Sequence, residues 1–573
     1  MVPFRSMLSR APGFVSRYLR LSLLAWEPSK KRRASSLQIR AGRAVCACAA
    51  VAALACSEGS PRDATTGSSA MSAGAGIHAP APSAGSSPKP VSETPGRAQA
   101  PAAVSGGSSG MRSSDQAGTQ GGSSRGTATP AGATGGTVTP GSGGRDGTDA
   151  LPALFPSKEA RGVCPDPPLR VRFAGPPSFG KTGKIRVFEV SSPSQPVAVV
   201  DLASERVDDK IGGTTFHLPR PAYVEGNEAI VRLPAHALSY GRSYYVTLDS
   251  DALKAPDGTA FTITDNVTWR FTTSAAAPTD TASLRVALDG TGQFCSVQGA
   301  LDALPARSAS AATIAVEAGT YFEVVRVGGK SRFTLRGSDR KRTILLGVNN
   351  NELNPSTATR SLVGIDDATD LVIENLTIHN LTPQGGSQAE ALRMQRCERC
   401  IVRHADILSL QDTLLWEGRI YAEDIYVEGN VDFVWGTGAV YIAKSEIRTV
   451  GRAGWVVQAR NGAGSGYVFV DSKISAAPGV TGVRLGRVDA SVYPASEVAY
   501  VNCQMGSHIA PEGWTVTGGA SPSLRFWEYQ STDATGAPLN VSARIGASRQ
   551  ISSDQAAALR DPAQVLGGWA PPP

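Results

Sequence analysis

The 573-residue chain is too long for one ordinary domain, and its composition changes sharply along its length. Its formal charge is +7, but residues 1–56 carry ten Lys and Arg against one Glu, so the remainder has a net charge of about −2. Without a basic stripe to neutralise phosphates, a nucleic-acid-binding protein is excluded. Eight Cys and six His include no pair of C-x-x-C motifs, so we expect no metal site.

Residues 1–56 look like a signal segment. Basic residues between Lys30 and Arg43 precede an apolar run of about a dozen residues, which is too short to cross a bilayer as a helix. The run ends at Cys56, as in a bacterial lipoprotein signal with Cys56 lipidated; the alternative is ordinary cleavage after "ALA". We therefore expect export, with a lipid anchor at the bacterial cell surface or outer membrane as the only membrane contact, or else secretion.

Two regions without visible catalytic residues come next. Residues 57–160 are rich in Gly, Ser, Ala and Pro, which predicts a disordered tether because they cannot bury enough apolar surface. Residues 161–275 contain short alternating runs such as "KIRVFEV" and "SYYVTLDS", separated by turn residues, which predicts a β-sandwich. The end of this region resembles the bacterial Ig-like domains, and we expect it to act as a spacer.

Residues 276–573 contain a repeat of short strands, which favours a parallel β-helix over a sandwich with tight hairpins. The apolar positions that we take as equivalent are separated by 29, 20, 20, 27 and 31 residues, and they are Ile378, Ile407, Val427, Ile447, Ile474 and Met505. A basal step near 20 residues with insertions is typical of stacked coils. The predicted fold class is therefore all-β, with a β-sandwich followed by a parallel β-helix.

The same register brings two carboxylates together. Asp412 lies five residues after Ile407, and Asp432 lies five residues after Val427, so stacked coils place them about 4.8 Å apart. Two carboxylates that close do not both ionise easily, and one becomes an acid while the other stays a nucleophile or base. Gln388 and Gln411 offer amide donors for an oxyanion, and Arg487 offers a bidentate partner for Asp432. Together these groups predict ester hydrolysis without Ser, His or a metal.

The order of these motifs resembles the pectin methylesterase (pectinesterase) family over nearly the whole last region. The similar segments, in family order, are "VALDGTGQFCSVQGALDALP", "AGTYFEVVRV", "SQAEALR", "LQDTLL", "GNVDFVWG" and "LGR". The resemblance implies a right-handed parallel β-helix that removes the C6 methyl esters of polygalacturonate.

The resemblance also implies roles for single residues. Asp432 would be the nucleophile, Asp412 the proton donor and then the base, and Gln388 and Gln411 the groups that stabilise the oxyanion. Arg487 would hold Asp432. The remaining substrate-binding candidates are Trp435 and Phe433. No cofactor is implied, and we expect a monomer whose partner is methyl-esterified pectin.

Two departures from the family pattern leave alternatives open. Asp489 stands where an aromatic residue is usual, and Leu415 replaces a frequent Tyr. Trp416, Trp435, Trp455 and Tyr493 are the nearby aromatic residues that offer a substitute surface for sugar rings. The alternatives are a related esterase for another ester and a non-catalytic polysaccharide-binding β-helix. Cys397 and Cys400 admit a disulfide bridge, a Cys ladder between coils, or two small buried residues.

Overall fold

The computed structural model describes residues 152–519 and 521–572, and strands make up most of the regular structure there. The predicted signal segment with Cys56, and the predicted tether up to residue 151, lie outside these residues. No helix within the described ranges is long and apolar enough to span a membrane.

The N-terminal region contains strands from residue 153 to residue 273. They are β1 (Ala153–Phe155), β2 (Ala160–Val163), β3 (Leu169–Arg172), β4 (Ser178–Phe179), β5 (Lys184–Glu189), β6 (Ser192–Asp201), β7 (Arg206–Ile211), β8 (Thr214–Pro219), β9 (Ala222–Glu225), β10 (Glu228–Val231), β11 (Ser243–Leu248), β12 (Leu253–Lys254) and β13 (Arg270–Thr273).

These strands form two main sheets over one apolar core. One sheet has the order β1-β3-β10-β9 and the other has the order β2-β13-β11-β5-β6. In β11 the sequence "SYYVTL" alternates, so every second side chain is buried, as the period of a half-buried strand requires. Val171 of the first sheet and Val246 of the second lie in the same core. The first strand begins at Ala153, before the predicted boundary at residue 161, and the Ig-like class stays a prediction.

The C-terminal region begins at residue 283. Its strands are β14 (Ser283–Val286), β15 (Ala312–Val316), β16 (Gly319–Phe322), β17 (Val325–Gly328), β18 (Ser331–Gly337), β19 (Thr343–Gly347), β20 (Val363–Asp366), β21 (Thr369–Glu374), β22 (Thr377–Asn380), β23 (Leu392–Arg403), β24 (Asp406–Leu408), β25 (Leu414–Glu423), β26 (Tyr426–Gly429), β27 (Val434–Gly436), β28 (Ala439–Ala443), β29 (Glu446–Thr449), β30 (Trp455–Ala459), β31 (Tyr467–Val470), β32 (Lys473–Ala476), β33 (Arg484–Asp489), β34 (Glu497–Val501), β35 (Gln504–Met505), β36 (Trp514–Thr517), β37 (Arg525–Tyr529) and β38 (Ser548–Gln550). Its helices are α1 (Val297–Ala303), α2 (Ser553–Arg560) and α3 (Pro562–Val565).

These strands form a parallel β-helix. One sheet contains eight strands in the order β16-β19-β22-β24-β26-β29-β32-β35, and the other strands join in a continuous parallel sheet of seventeen. The register predicted from the repeat is confirmed at every step, since consecutive members of the predicted series pair directly: Ile378 with Ile407, Ile407 with Val427, Val427 with Ile447, Ile447 with Ile474, and Ile474 with Met505. All six side chains are buried, so the repeat is the stacked apolar interior of the coils.

The coils turn at a repeated corner between the two sheets. The corner residue has a positive φ in seven coils, and these residues are Asn375, His404, Asp424, Lys444, Asp471, Asn502 and Gln530. A left-handed residue at the same place in these seven coils turns the chain in the same direction each time. The insertions therefore leave the register of the flanking strands unchanged.

A hairpin of the N-terminal region packs into the β-helix. Phe216, at the centre of β8, is fully buried in the β-helix core together with Ile211 of β7. The guanidinium carbon of Arg326 lies 4.5 Å from the centre of the Phe216 ring. The neighbouring residue, His217, exchanges two backbone hydrogen bonds of 3.0 and 2.9 Å with the side chain of Asn354.

A disulfide between Cys164 and Cys295 also joins the two regions. Beside it, the Asp166 carboxylate accepts hydrogen bonds of 2.9 Å from the backbone nitrogens of Cys295 and Ser296, at the start of α1. These contacts make the N-terminal region part of one folded unit with the β-helix, which is more than the predicted spacer would require. Cys397 and Cys400 are free and buried, so of the three interpretations the structure has two small buried residues.

We predict that Phe216→Ala lowers the free energy of unfolding by about 3–5 kcal/mol, because it leaves a cavity between the hairpin and the first coils. The measurement is urea denaturation of the whole protein. Val199→Ala is the matched control, since Val199 is 41% exposed and its truncation should change the free energy by less than about 0.5 kcal/mol. Equal effects of the two substitutions would contradict a supporting role for the hairpin.

Candidate active site

The stacked coils bring Asp412 and Asp432 together, as the 20-residue step predicts. Leu414 pairs with Val434 in the parallel sheet. Asp412 and Asp432 each stand two positions before these residues, so they are aligned as well. The backbone nitrogen of Asp412 donates a 3.1 Å hydrogen bond to the carbonyl of Val431. The two aspartates therefore occupy adjacent coils, about 4.8 Å apart along the stack.

Both aspartates have a left-handed backbone. The φ angles are 65° for Asp412 and 50° for Asp432, in the left-handed region that Asp and Asn adopt more readily than most residues. The turn before Asp432 also depends on Gly429, because a Cβ atom there would lie 2.2 Å from the Cβ atom of Phe433. The "GNVDF" segment thus needs its glycine to bring Asp432 into line with Asp412.

Asp432 forms a bidentate ion pair with Arg487. The Arg487 Nε atom donates a 2.7 Å hydrogen bond to Oδ1, and Nη2 donates to Oδ2. Burial raises the pKa of Asp432, while Arg487 and the charge of Arg460 act in the opposite direction. The Arg487 guanidinium also lies on the face of Trp455, with 4.6 Å between its central carbon and the ring centre. The carboxylate is therefore oriented on one side, and its charge is partly neutralised.

Asp412 lies in a different environment. Burial is the largest cause that raises its pKa well above the usual range, and the negative charges of Glu390 and Asp432 add to it. Arg360 opposes the increase through a 2.9 Å hydrogen bond from Nη2 to Oδ2. Asp412 is therefore the member of the pair that holds a proton more readily.

Three charged residues of the site were not predicted from the sequence: Arg360, Glu390 and Arg460. Glu390 stands in "QAEALR" between two alanines, and a carboxylate with apolar neighbours is a signal that could have identified it. Arg360 and Arg460 carried no comparable signal, because they reach the site from segments outside the regular 20-residue step. Arg460 lies 4.5 Å from the centre of the Trp435 ring and lowers the pKa of both aspartates.

The two predicted amide residues lie close to the aspartates: Gln411 precedes Asp412 in the chain, and Gln388 lies on the coil before it. Ala389, next to Gln388, donates a 3.2 Å backbone hydrogen bond to the carbonyl of Gln411, and Gln411 in turn pairs with Val431. Both glutamines are partly exposed, unlike the buried aspartates. Their position and accessibility suit hydrogen-bond donors at the open side of the site, and their role stays a prediction.

The predicted aromatic contacts need correction. Phe433 is fully buried in the β-helix core, because the left-handed Asp432 turns the next side chain inward, so Phe433 is not available to a substrate. Trp416 is equally buried, and Trp435 is only 5% exposed to solvent. Trp455 and Tyr493 are partly exposed. They are the predicted aromatic residues that remain accessible for contact with sugar rings.

The chain is similar to known proteins over the β-helix. A family model described as Pectinesterase matches residues 283–566. Pectinesterase 31 of Arabidopsis thaliana is 30% identical over 292 residues, which cover 48% of this chain and 90% of that protein. Pectinesterase 2 of Olea europaea is 29% identical over 268 residues, which cover 43% of this chain and 69% of that protein. The structure of a pectin methylesterase from carrot has 25% sequence identity and a TM-score of 0.46, with 51% of this chain and 95% of that chain covered.

The range matched by the family model, residues 283–566, contains both stacked aspartates, the two glutamines and Arg487. The similarity to the Arabidopsis protein extends over 90% of its length. On these grounds, the chain belongs to the pectinesterase family.

Proposed function

We propose that this protein hydrolyses the C6 methyl esters of pectin, with Asp432 as nucleophile and Asp412 as the acid and base. The observation that carries this assignment is the unequal environment of the two stacked aspartates. Asp432 is held by the bidentate Arg487, whereas Asp412 is buried between negative groups that favour its protonated form. Family membership supports the substrate class, and the site supports the chemistry.

The first half of the reaction forms an acyl-enzyme. A carboxylate oxygen of Asp432 attacks the ester carbonyl carbon, and the carbonyl oxygen becomes an oxyanion that accepts hydrogen bonds from the amides of Gln388 and Gln411. When the bond between carbon and methoxyl oxygen breaks, Asp412 gives its proton to the leaving oxygen, and methanol departs. Asp432 is then joined to the sugar as a mixed anhydride, and Asp412 is ionised.

The second half restores the enzyme. Asp412 takes a proton from a water molecule whose oxygen attacks the same carbonyl carbon. The bond to Asp432 then breaks, which frees a galacturonate carboxyl group and returns Asp432 to its pairing with Arg487. Each residue ends in its starting protonation state, so the cycle needs neither a cofactor nor a metal.

A second candidate function is hydrolysis of a different ester on a related polysaccharide. Asp489 does not supply the usual aromatic surface, since its carboxylate accepts hydrogen bonds of 3.1 and 2.6 Å from the backbone and hydroxyl of Ser491. Trp455 and Tyr493 are left to contact the sugars. Comparison of methanol release and acetate release from methylated and acetylated pectins distinguishes the two functions.

The location of the protein is a separate proposal, which rests on residues 1–56 alone. The basic stretch, the short apolar run and Cys56 support export and a lipid anchor on Cys56. An exported enzyme on a tether would reach a polymeric substrate that cannot enter the cell.

We predict that Asp432→Asn lowers methanol release from highly methylated pectin by at least about 10³-fold, because the amide cannot act as a nucleophile. The measurement is initial rate, with circular dichroism and thermal unfolding as checks on the fold. Asp406→Asn is the matched control, because Asp406 is also a buried aspartate paired with arginine, at 2.8 Å from Arg340. A near-native rate for the folded Asp432 variant would refute the assignment.

We predict that Arg487→Gln moves the acidic limb of the pH profile of kcat/KM to higher pH by about one unit. Ionised Asp432 is the reactive form, so activity is lost as the pH falls through its pKa, and Arg487 lowers that pKa. Arg484→Gln is the control on the same strand, since Arg484 is 3.9 Å from Glu512 and serves no carboxylate of the site. An unchanged acidic limb in the Arg487 variant would show that its charge does not tune the nucleophile.

A further inference from the structure

Three carboxylates, not two, are stacked at the site. Leu392, Leu414 and Val434 are paired in consecutive coils, and Glu390, Asp412 and Asp432 each stand two residues before them. All three side chains are buried, and Glu390 has no exposed surface. Three negative charges at a spacing of about 4.8 Å repel one another strongly in a buried site, so each requires a cation or a proton.

The two outer carboxylates have arginine partners. Asp432 pairs with Arg487, as described above. At the other end, Arg360 holds Glu390 through hydrogen bonds of 2.9 and 3.0 Å from Nε and 2.7 Å from Nη2. The same Nη2 atom donates to Oδ2 of Asp412 at 2.9 Å. Asp412, in the middle, therefore shares the guanidinium that Glu390 already neutralises.

Arg360 is held firmly on both sides. The backbone carbonyls on either side of it, those of Thr359 and Ser361, each accept two hydrogen bonds. One comes from Nη2 of Arg326 at 2.8 Å, and the other comes from the side-chain nitrogen of Asn349 at 2.7 Å. The Nη1 atom of Arg360 itself donates a 3.3 Å hydrogen bond to the side chain of Asn351. A guanidinium with a fixed backbone and a buried carboxylate partner has little freedom to leave Asp412.

A buried ion pair is not needed to hold such a coil together. Apolar residues of similar volume are often equally stabilising in place of a buried Arg and Glu, so stability alone does not explain the pair. The charges that face Asp412 are Glu390 and Asp432, which are negative, and Arg360 and Arg460, which are positive. After burial itself, the negative charge of Glu390 contributes most to raising the pKa of Asp412.

We propose that Arg360 and Glu390 are positioning residues for the acid of the reaction. Glu390 holds and neutralises Arg360, and Arg360 fixes Oδ2 of Asp412, so that the proton of Asp412 resides on Oδ1. The middle carboxyl of the stack is thereby kept as the proton carrier, in one orientation. This inference rests on the proposed function for its consequence in catalysis, but its electrostatic part is measurable without turnover.

The first test is Glu390→Gln. Loss of the negative charge should lower the pKa of Asp412 by about one unit or more, since Arg360 then serves Asp412 alone. The carboxyl group is followed by ¹³C NMR of protein labelled at Asp Cγ, with the Asp412 signal assigned by its absence in Asp412→Asn. The basic limb of the kcat profile should move to lower pH, and Glu390→Asp, which keeps the charge, should restore it. An unchanged Asp412 titration in folded Glu390→Gln would overturn the proposal.

A second variant covers the case in which Glu390→Gln does not fold. Arg360→Met with Glu390→Met removes both charges at similar volume, so the fold should be retained. We expect kcat to fall about 10²-fold with KM little changed, because the acid loses its orientation. Retention of the wild-type kcat and pH profile by this double variant would also overturn the proposal.

The matched control is another Arg and Glu pair of similar burial, Arg544 with Glu528. Glu528 also accepts a hydrogen bond from Trp514, away from the stacked carboxylates. Arg544→Met with Glu528→Met should alter stability without moving the pH profile.

If wild-type protein releases no methanol from pectin, the proposed function fails while the NMR titration still decides the electrostatic part. If methanol is released but neither test shows an effect, the positioning role alone fails.

Discussion

Parallel stacking of coils at one strand spacing creates the electrostatic problem that defines this site. Residues at equivalent positions of consecutive coils lie about 4.8 Å apart, and here three such positions carry carboxylates. The same stacking buries them, so water screens their repulsion poorly. The arginines and the proton at the site follow from this constraint, because a stack of three buried negative charges would otherwise oppose folding.

The site resolves the repulsion by an unequal distribution of partners. Burial raises the pKa of both Asp412 and Asp432, so burial alone does not distinguish an acid from a nucleophile. The distinction comes from the arginines: Arg487 serves Asp432 with two donors, whereas Arg360 divides its donors between Asp412 and Glu390. Two aspartates with identical side chains thus have different electrostatic environments, and the proposed division into acid and nucleophile rests on this difference.

The repeat and the two aspartates were predictable from sequence, because apolar residues at a 20-residue step report the register directly. The pairing of Asp432 with Arg487 followed from chemical complementarity. Arg360 was not predictable, since it reaches Asp412 across 52 residues and shares no period with it. Phe433 was assigned wrongly because the left-handed Asp432 breaks strand alternation. The docking of β8 was missed because Phe216 in "TTFHLP" has the pattern of any half-buried strand.

Asp432, the proposed nucleophile, and Asp412, the proposed acid, are held from opposite directions along the β-helix. Arg487 comes from a later coil than Asp432, whereas Arg360 and Glu390 come from coils that precede Asp412. Those earlier coils also receive the N-terminal hairpin: His217 bonds Asn354, Asn354 bonds Asn349, and Asn349 bonds the carbonyls on either side of Arg360. These hydrogen bonds connect the hairpin to the backbone on either side of Arg360, which pairs with Asp412, whereas Asp432 is held by Arg487. The N-terminal region thus supports the side of the site that contains Arg360, Glu390 and Asp412.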